Sequence, residues 1–246
     1  MKIFLAVFCS LLSYSTSCQT IQIDAKNNTL NLNQLKLEKS TYLVYFQNEP
    51  DAPKYNIEVW DRDIEQTSKN TYSISWVRQN YKELHDYKIT VGQRFQPVSE
   101  EIVVSTLGKS PEDELRKYYH FKDNKVYTDN DTIKHNQAPF TTENTALAFN
   151  WELDLEILGM LPFEDYNQFD INFYHPGSKS KPEYHTYQKV REEKLSINDQ
   201  EFSCWVLKID HNEKQWSEFW IDKQTFKVLQ MRDFFYGRFR YKKLVI

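Results

Sequence analysis

Apolar and polar positions alternate with period two along much of this chain. Tyr55, Ile57 and Val59 alternate with Asn56 and Glu58, and Tyr72, Ile74 and Trp76 with Ser73 and Ser75. Tyr87, Ile89 and Val91 alternate with Lys88 and Thr90, and Phe169, Ile171 and Phe173 with Asp170 and Asn172. Successive side chains of a strand point to opposite faces, so each segment predicts a strand with one buried face. A sheet with one wet face is characteristically antiparallel. The polar stretches 48–53 and 61–70 predict turns. The last third predicts a meander with strands near 184–195, 202–209, 216–222, 226–233 and 238–245. Its connections fall at Asn198-Asp199, at 210–212 and at 222–224, and connections this short make neighbours antiparallel.

The segment 143–161 (ENTALAFNWELDLEILGML) departs from this pattern. As a strand, Phe149, Trp151, Leu153, Leu155 and Ile157 alternate with polar residues. As a helix, Leu147, Trp151, Leu155 and Leu158 form one stripe. Leu and Glu favour helix, β-branching is nearly absent, and Gly159 and Pro162 supply a stop. The helix is the favoured reading, packed on the sheet.

Composition supports a β-rich domain. Of 246 residues, 15% are aromatic, with only five Gly and eight Pro, and aromatics suit strands. The length suits one domain with a substantial core. A formal net charge of −4 gives no electrostatic reason to expect nucleic acid as partner.

The N-terminus reads as an export signal over residues 1–18: Lys2, the apolar run Ile3 to Leu12, then small polar residues. The run is far shorter than the roughly 20 residues that span a bilayer as a helix, and no other stretch is longer, so an integral membrane protein is not expected. Two cleavage readings stand. One cut near Cys18 leaves Gln19 first. In the other, Ser15-Thr16-Ser17-Cys18 is a lipoprotein-type box and Cys18 carries lipid, although such boxes usually have an aliphatic where this chain has Ser15. The expected location is exported, periplasmic or at the surface or outer membrane, lipid-anchored only if Cys18 is modified. Cys204 is the only later cysteine, so no disulfide framework is expected.

The sequence offers little for catalysis. Gly108-Lys109-Ser110 lacks the upstream Gly of a phosphate loop, and no G-x-S-x-G elbow appears. His85, His120, His135, His175, His185 and His211 show no metal-ligand spacing. Asp129-Asn130-Asp131 begins like a calcium loop, but Ile133 stands where an oxygen ligand is needed. The doublets Glu100-Glu101 and Glu192-Glu193 cannot face one another along a strand. Cys204 sits among apolar neighbours as a small hydrophobe. No enzyme activity, cofactor or metal is expected.

The C-terminal aromatics, among them Trp205, Trp216, Phe219, Trp220, Phe226, Phe239 and Tyr241, suit either a sheet core or the wall of a hydrophobic ligand site. The candidate cavity residues are Trp151, Leu155, Leu158, Trp205, Phe219 and Trp220.

Three segments carry a resemblance. Leu158-Gly159-Met160-Leu161-Pro162, Phe202-Ser203-Cys204-Trp205-Val206-Leu207 and the stretch from Phe219 to Leu229 resemble a bacterial envelope family of unknown function with a lipoprotein-localisation (LolA/LolB-like) half-barrel. That resemblance implies a mainly β (α+β) fold: a strongly curved antiparallel sheet, or unclosed barrel, with one helix in or against its concave face. It implies a lipid or acyl ligand only by analogy of fold. The expected organisation is a signal at 1–18, N-terminal strands or a lead-in at 19–53, and a curved antiparallel β domain at 54–246 with a helix near 143–160. The expected function is an exported protein holding a hydrophobic, acyl or lipid ligand in an apolar cavity; the alternative is an envelope interaction module docking another envelope protein.

Overall fold

The computed structural model describes residues 19–128, 139–143, 145 and 147–246. The export signal, Cys18, His135 and the Asp129-Asn130-Asp131 turn lie outside the described residues. Among the described residues, sixteen strands form one sheet. In chain order they are β1 Thr20–Ile23, β2 Lys39–Gln47, β3 Tyr55–Ser68, β4 Thr71–Gln79, β5 Glu83–Gly92, β6 Pro97–Thr106, β7 Leu115–Lys122, β8 Lys125–Tyr127, β9 Thr141–Glu143 and β10 Phe149–Asn150. They continue with β11 Gln168–Tyr174, β12 Glu183–Ile197, β13 Gln200–Asn212, β14 Gln215–Asp222, β15 Val228–Phe235 and β16 Arg238–Leu244. A 3₁₀ turn, Trp151–Leu153, leads into the short helix α1, Asp154–Gly159.

The spatial order is β1-β11-β12-β13-β14-β15-β16-β2-β3-β4-β5-β6-β7-β8-β9, with β10 also on β11. The C-terminal meander therefore continues directly into the N-terminal one through the β16–β2 pair. Pairing is antiparallel except along β11, where β1 and β10 run parallel. No ladder joins the two ends among the described residues, so the sheet is a large, curved, unclosed barrel. A polar contact brings the ends together: Tyr174 Oη on β11 donates to Thr142 Oγ1 on β9 at 3.2 Å.

Local chemistry explains the hairpins. Asn198 and Asp199 both have positive φ (47° and 64°) between the paired residues Ile197 and Gln200. A two-residue loop of this kind matches the twist of its flanking strands. Asp123-Asn124 and Tyr236-Gly237 repeat the device.

Three expectations need correction. The stretch 61–70 is mostly strand; β3 runs on to Ser68 and only the residues after it turn. The inner face of β3 is Trp60 and Arg62, while Ile57 and Val59 are 52% and 40% exposed. The alternation was real, but a one-residue choice of parity exchanges the faces. The 143–161 segment is helical only over 151–159, because Phe149 and Asn150 pair with Phe173 and Tyr174 instead.

The helix lies on the concave side. A six-residue helix is too short to hold its shape alone, so packing fixes it. Leu155, Ile157, Leu158 and Leu161 are buried in one core with Phe163, Trp205 and Val228, and the Phe163 and Trp205 rings stack at 4.5 Å. Gly159 passes so close to the chain that an added Cβ would stand 2.3 Å from the Phe226 carbonyl oxygen. That contact needs glycine, beyond the residue's role in ending the helix.

Candidate functional site

The concavity is filled around α1 but open at the end where the β2–β3, β4–β5, β13–β14 and β15–β16 connections gather. A cavity of about 450 Å³ lies there. Its apolar wall includes Phe46, Trp60, Trp76, Trp151, Phe219 and Met231. Its charged groups are Arg78, Arg238, Arg240 and Lys242 against Glu152, Asp154 and Asp233, with His175 and His211. The expected apolar cavity is therefore corrected to an amphipathic one.

Cross-strand pairing builds this wall. Trp60 stands opposite Arg78, and Arg62 opposite Trp76. The Arg78 guanidinium lies 4.3 Å from the Trp60 ring, 4.0 Å from Trp76 and 4.6 Å from Tyr87, and Arg62 lies 4.0 Å from Trp76. Delocalised guanidinium groups stack on aromatic faces in this way. Both arginines also hold the helical segment. Arg62 donates from Nε to Glu156 Oε1 at 2.9 Å and from Nη2 to Glu156 Oε2 at 2.5 Å. Arg78 pairs with Glu152. Burial pushes the Glu156 carboxyl above its ordinary range, and Arg62 opposes that shift.

On the opposite side Arg240 donates to Asp233 Oδ2 from Nε at 2.6 Å. Lys242 has a different setting. It is 5% exposed, its ammonium lies 4.6 Å from the Trp60 ring, and it has no hydrogen-bond or ion-pair partner among the described residues. Burial pulls its pKa down to about 8, with Asp154 opposing. His175 lies flat on Trp151, with rings 5.1 Å apart and 5° from parallel. His211 meets Ser217 Oγ at 3.1 Å. Burial holds both imidazoles below their ordinary pKa.

Behind this wall Glu100 is fully enclosed. Its carboxyl oxygens have no hydrogen-bond partner, and the Asn150 amide faces it outside hydrogen-bonding geometry. Burial pushes its pKa up to about 8, helped by Glu152. Cys204 is buried, and burial with the nearby Asp222 carboxylate raises its thiol to about 12. Such a thiol is a poor nucleophile. No group of three or more metal-ligating side chains converges among the described residues, and among them no helix is long and apolar enough to cross a membrane.

Of the sequence candidates, Trp151 and Phe219 line the cavity. Leu155 borders a much smaller void of about 50 Å³ beside α1. Leu158, Trp205 and Trp220 are buried away from the cavity wall. Sequence reasoning missed the charged wall. The available signal lay in β16, where Arg238, Arg240 and Lys242 alternate with Phe239 and Tyr241. The usual assignment turns aromatics inward, but here the cations line the cavity and Tyr241 stacks on Tyr45 across the sheet at 5.2 Å.

Residues 41–243 match a family described as "Protein of unknown function (DUF3108)". The chain belongs to this family. Among solved structures, the crystal structure of a beta-barrel-like protein of domain of unknown function DUF1849 from Brucella abortus is similar over 86% of this chain and 97% of that one, with a TM-score of 0.53 and 11% identity. At that identity the likeness concerns the fold alone, and it agrees with the curved, barrel-like sheet. No curated protein matches the chain. Family membership bears out the expectation of an uncharacterised family; the lipoprotein-localisation likeness rests on the sequence segments alone.

Proposed function

We propose that this DUF3108 chain is an exported, non-enzymatic binding protein that holds a small amphipathic molecule in the mouth of its half-barrel. The observation that carries the reading is the cavity of about 450 Å³, walled by Trp60, Trp76, Trp151, Phe219 and Met231 on a packed scaffold. Ligand sites are concave and mostly apolar, with a few placed polar groups, and volumes of about 300–1,000 Å³ are usual. The buried Arg62–Glu156 pair and the half-buried Arg78–Glu152 pair lock the helical segment that forms one side, so the site is pre-formed. The apolar run Ile3 to Leu12 behind Lys2 supports export. The segment likeness to lipoprotein-localisation proteins supports an acyl or lipid-like body for the ligand, by analogy of fold.

Native mass spectrometry with lipid extraction, on protein purified from its own envelope fraction, tests this. A co-purifying lipid-sized mass is the expected result. A clean apo mass in every preparation contradicts it and favours the interaction-module reading, which the exposed Ile57 and Val59 on the outer face of β3 support.

A further inference from the structure

The cavity's charges are unevenly matched. Arg78 and Arg240 each meet a carboxylate, Glu152 and Asp233. Lys242 and Arg238 meet none among the described residues; Arg238 lies over Phe46 at the rim, 4.7 Å from its ring. The remaining acid, Asp154, already accepts the Leu155 N–H at Oδ1, 2.8 Å away. Four cations thus face three carboxylates across one cavity, a net charge of +1 with both imidazoles neutral. Asp154 and Asp233 act on Lys242 only from beyond ion-pair distance; an ammonium enclosed without a directly bonded counter-charge is costly, and a bonded partner of opposite charge offsets that cost. Lys242 lines the open volume, so an entering group can reach it. Beside it on the same inner face stand Met231, its direct cross-strand partner, and Phe219 beyond, which offer apolar surface but no acceptor.

We propose that the cavity selects amphiphiles with an anionic head, a carboxylate or phosphate-type group seated at Lys242, with the apolar body lying along Phe219 and Met231. The inference rests on the binding reading above and assigns the chemical class of its ligand. Lys242 supplies the charge-assisted bond at the floor. Arg238 contributes a second positive charge at the rim, where an approaching anion meets it first. The aromatic wall sets the requirement for a tail.

Isothermal titration with three probes tests the assignment: decanoate, 1-decanol and acetate. The wild-type chain is expected to bind decanoate about tenfold or more tighter than 1-decanol, the scale of a hydrogen bond to a charged group, and to bind acetate much more weakly than either. In Lys242→Met the decanoate preference is expected to collapse to within about threefold while 1-decanol binding persists, and Lys242→Arg is expected to restore part of the preference. Equal binding of decanoate and 1-decanol by the wild type overturns the anionic head but leaves the cavity reading intact. Acetate binding as tightly as decanoate overturns the amphiphile in favour of a free anion. Failure of all three to bind overturns both. Thermal unfolding of each variant checks folding; should Lys242→Met not fold, the wild-type comparison alone decides.

Discussion

The packed half of the concavity and its open mouth are built from the same strands, yet they use opposite chemistry. Around α1 the inward side chains are Leu155, Leu158, Phe163 and Trp205, which close on one another. Toward the mouth the inward positions of β3, β4, β15 and β16 become Arg62, Arg78, Asp233, Arg240 and Lys242, interleaved with Trp60 and Trp76. Apolar side chains adapt and fill; ion pairs stacked on rigid indoles do not collapse inward, because each must keep its partners. Charge on the inner face thus keeps the mouth open, and apolar packing gives it a firm floor.

The largest effect is expected where the two halves join. Arg62→Ala leaves Glu156 enclosed without its partner, and breaking such a pair costs about 3–5 kcal/mol. Denaturant unfolding is expected to show this loss, and an Arg62→Met, Glu156→Leu double variant to recover most of it. A double variant as unstable as the single would break the view that the pair serves positioning more than stability.

A smaller contrast separates the halves themselves. Leu158→Ala, in the packed half, is expected to cost about 2–5 kcal/mol through the void it leaves. Phe235→Ala, at the rim and 41% exposed, is expected to stay within about 0.5 kcal/mol, as for surface sites generally. Equal losses would mean that the mouth is as tightly packed as the floor.

The third test is a pH dependence. Glu100 has its carboxyl raised from 4.5 to about 8, so between these values the folded chain keeps a proton that the unfolded chain has lost. Stability therefore falls as pH rises through that window and levels off above about 8. Glu100→Gln is expected to flatten the profile and to add on the order of 4 kcal/mol at pH 8, read from unfolding midpoints at pH 5, 6.5 and 8. A profile unchanged by the substitution would remove Glu100 from the account.

Much of the architecture was legible in the chain. The strand alternation, the Asn198-Asp199 turn and the C-terminal meander follow from periodicity and turn chemistry, and all recur in the structure. The face of β3 was not legible, because Ile57-Glu58-Val59 and Trp60-Asp61-Arg62 offer two consistent parities and only the partner Glu156, far along the chain, decides between them. The same ambiguity hid the site. In β16 the aromatics Phe239 and Tyr241 look like core, and the cations look like surface, until the closing curvature turns Arg238, Arg240 and Lys242 inward. Periodicity measures contrast between faces; it does not say which face looks into a cavity.

Two methionines place one probe in each half. Met160 follows α1 in the packed floor, 1% exposed, and Met231 lines the cavity. Methyl NMR of ¹³C-methionine-labelled protein, titrated with decanoate, reads both at once. The account predicts that the Met231 methyl resonance shifts to saturation while that of Met160 stays in place. A shift at Met160 alone, or no change at either methyl with decanoate in excess, would contradict it.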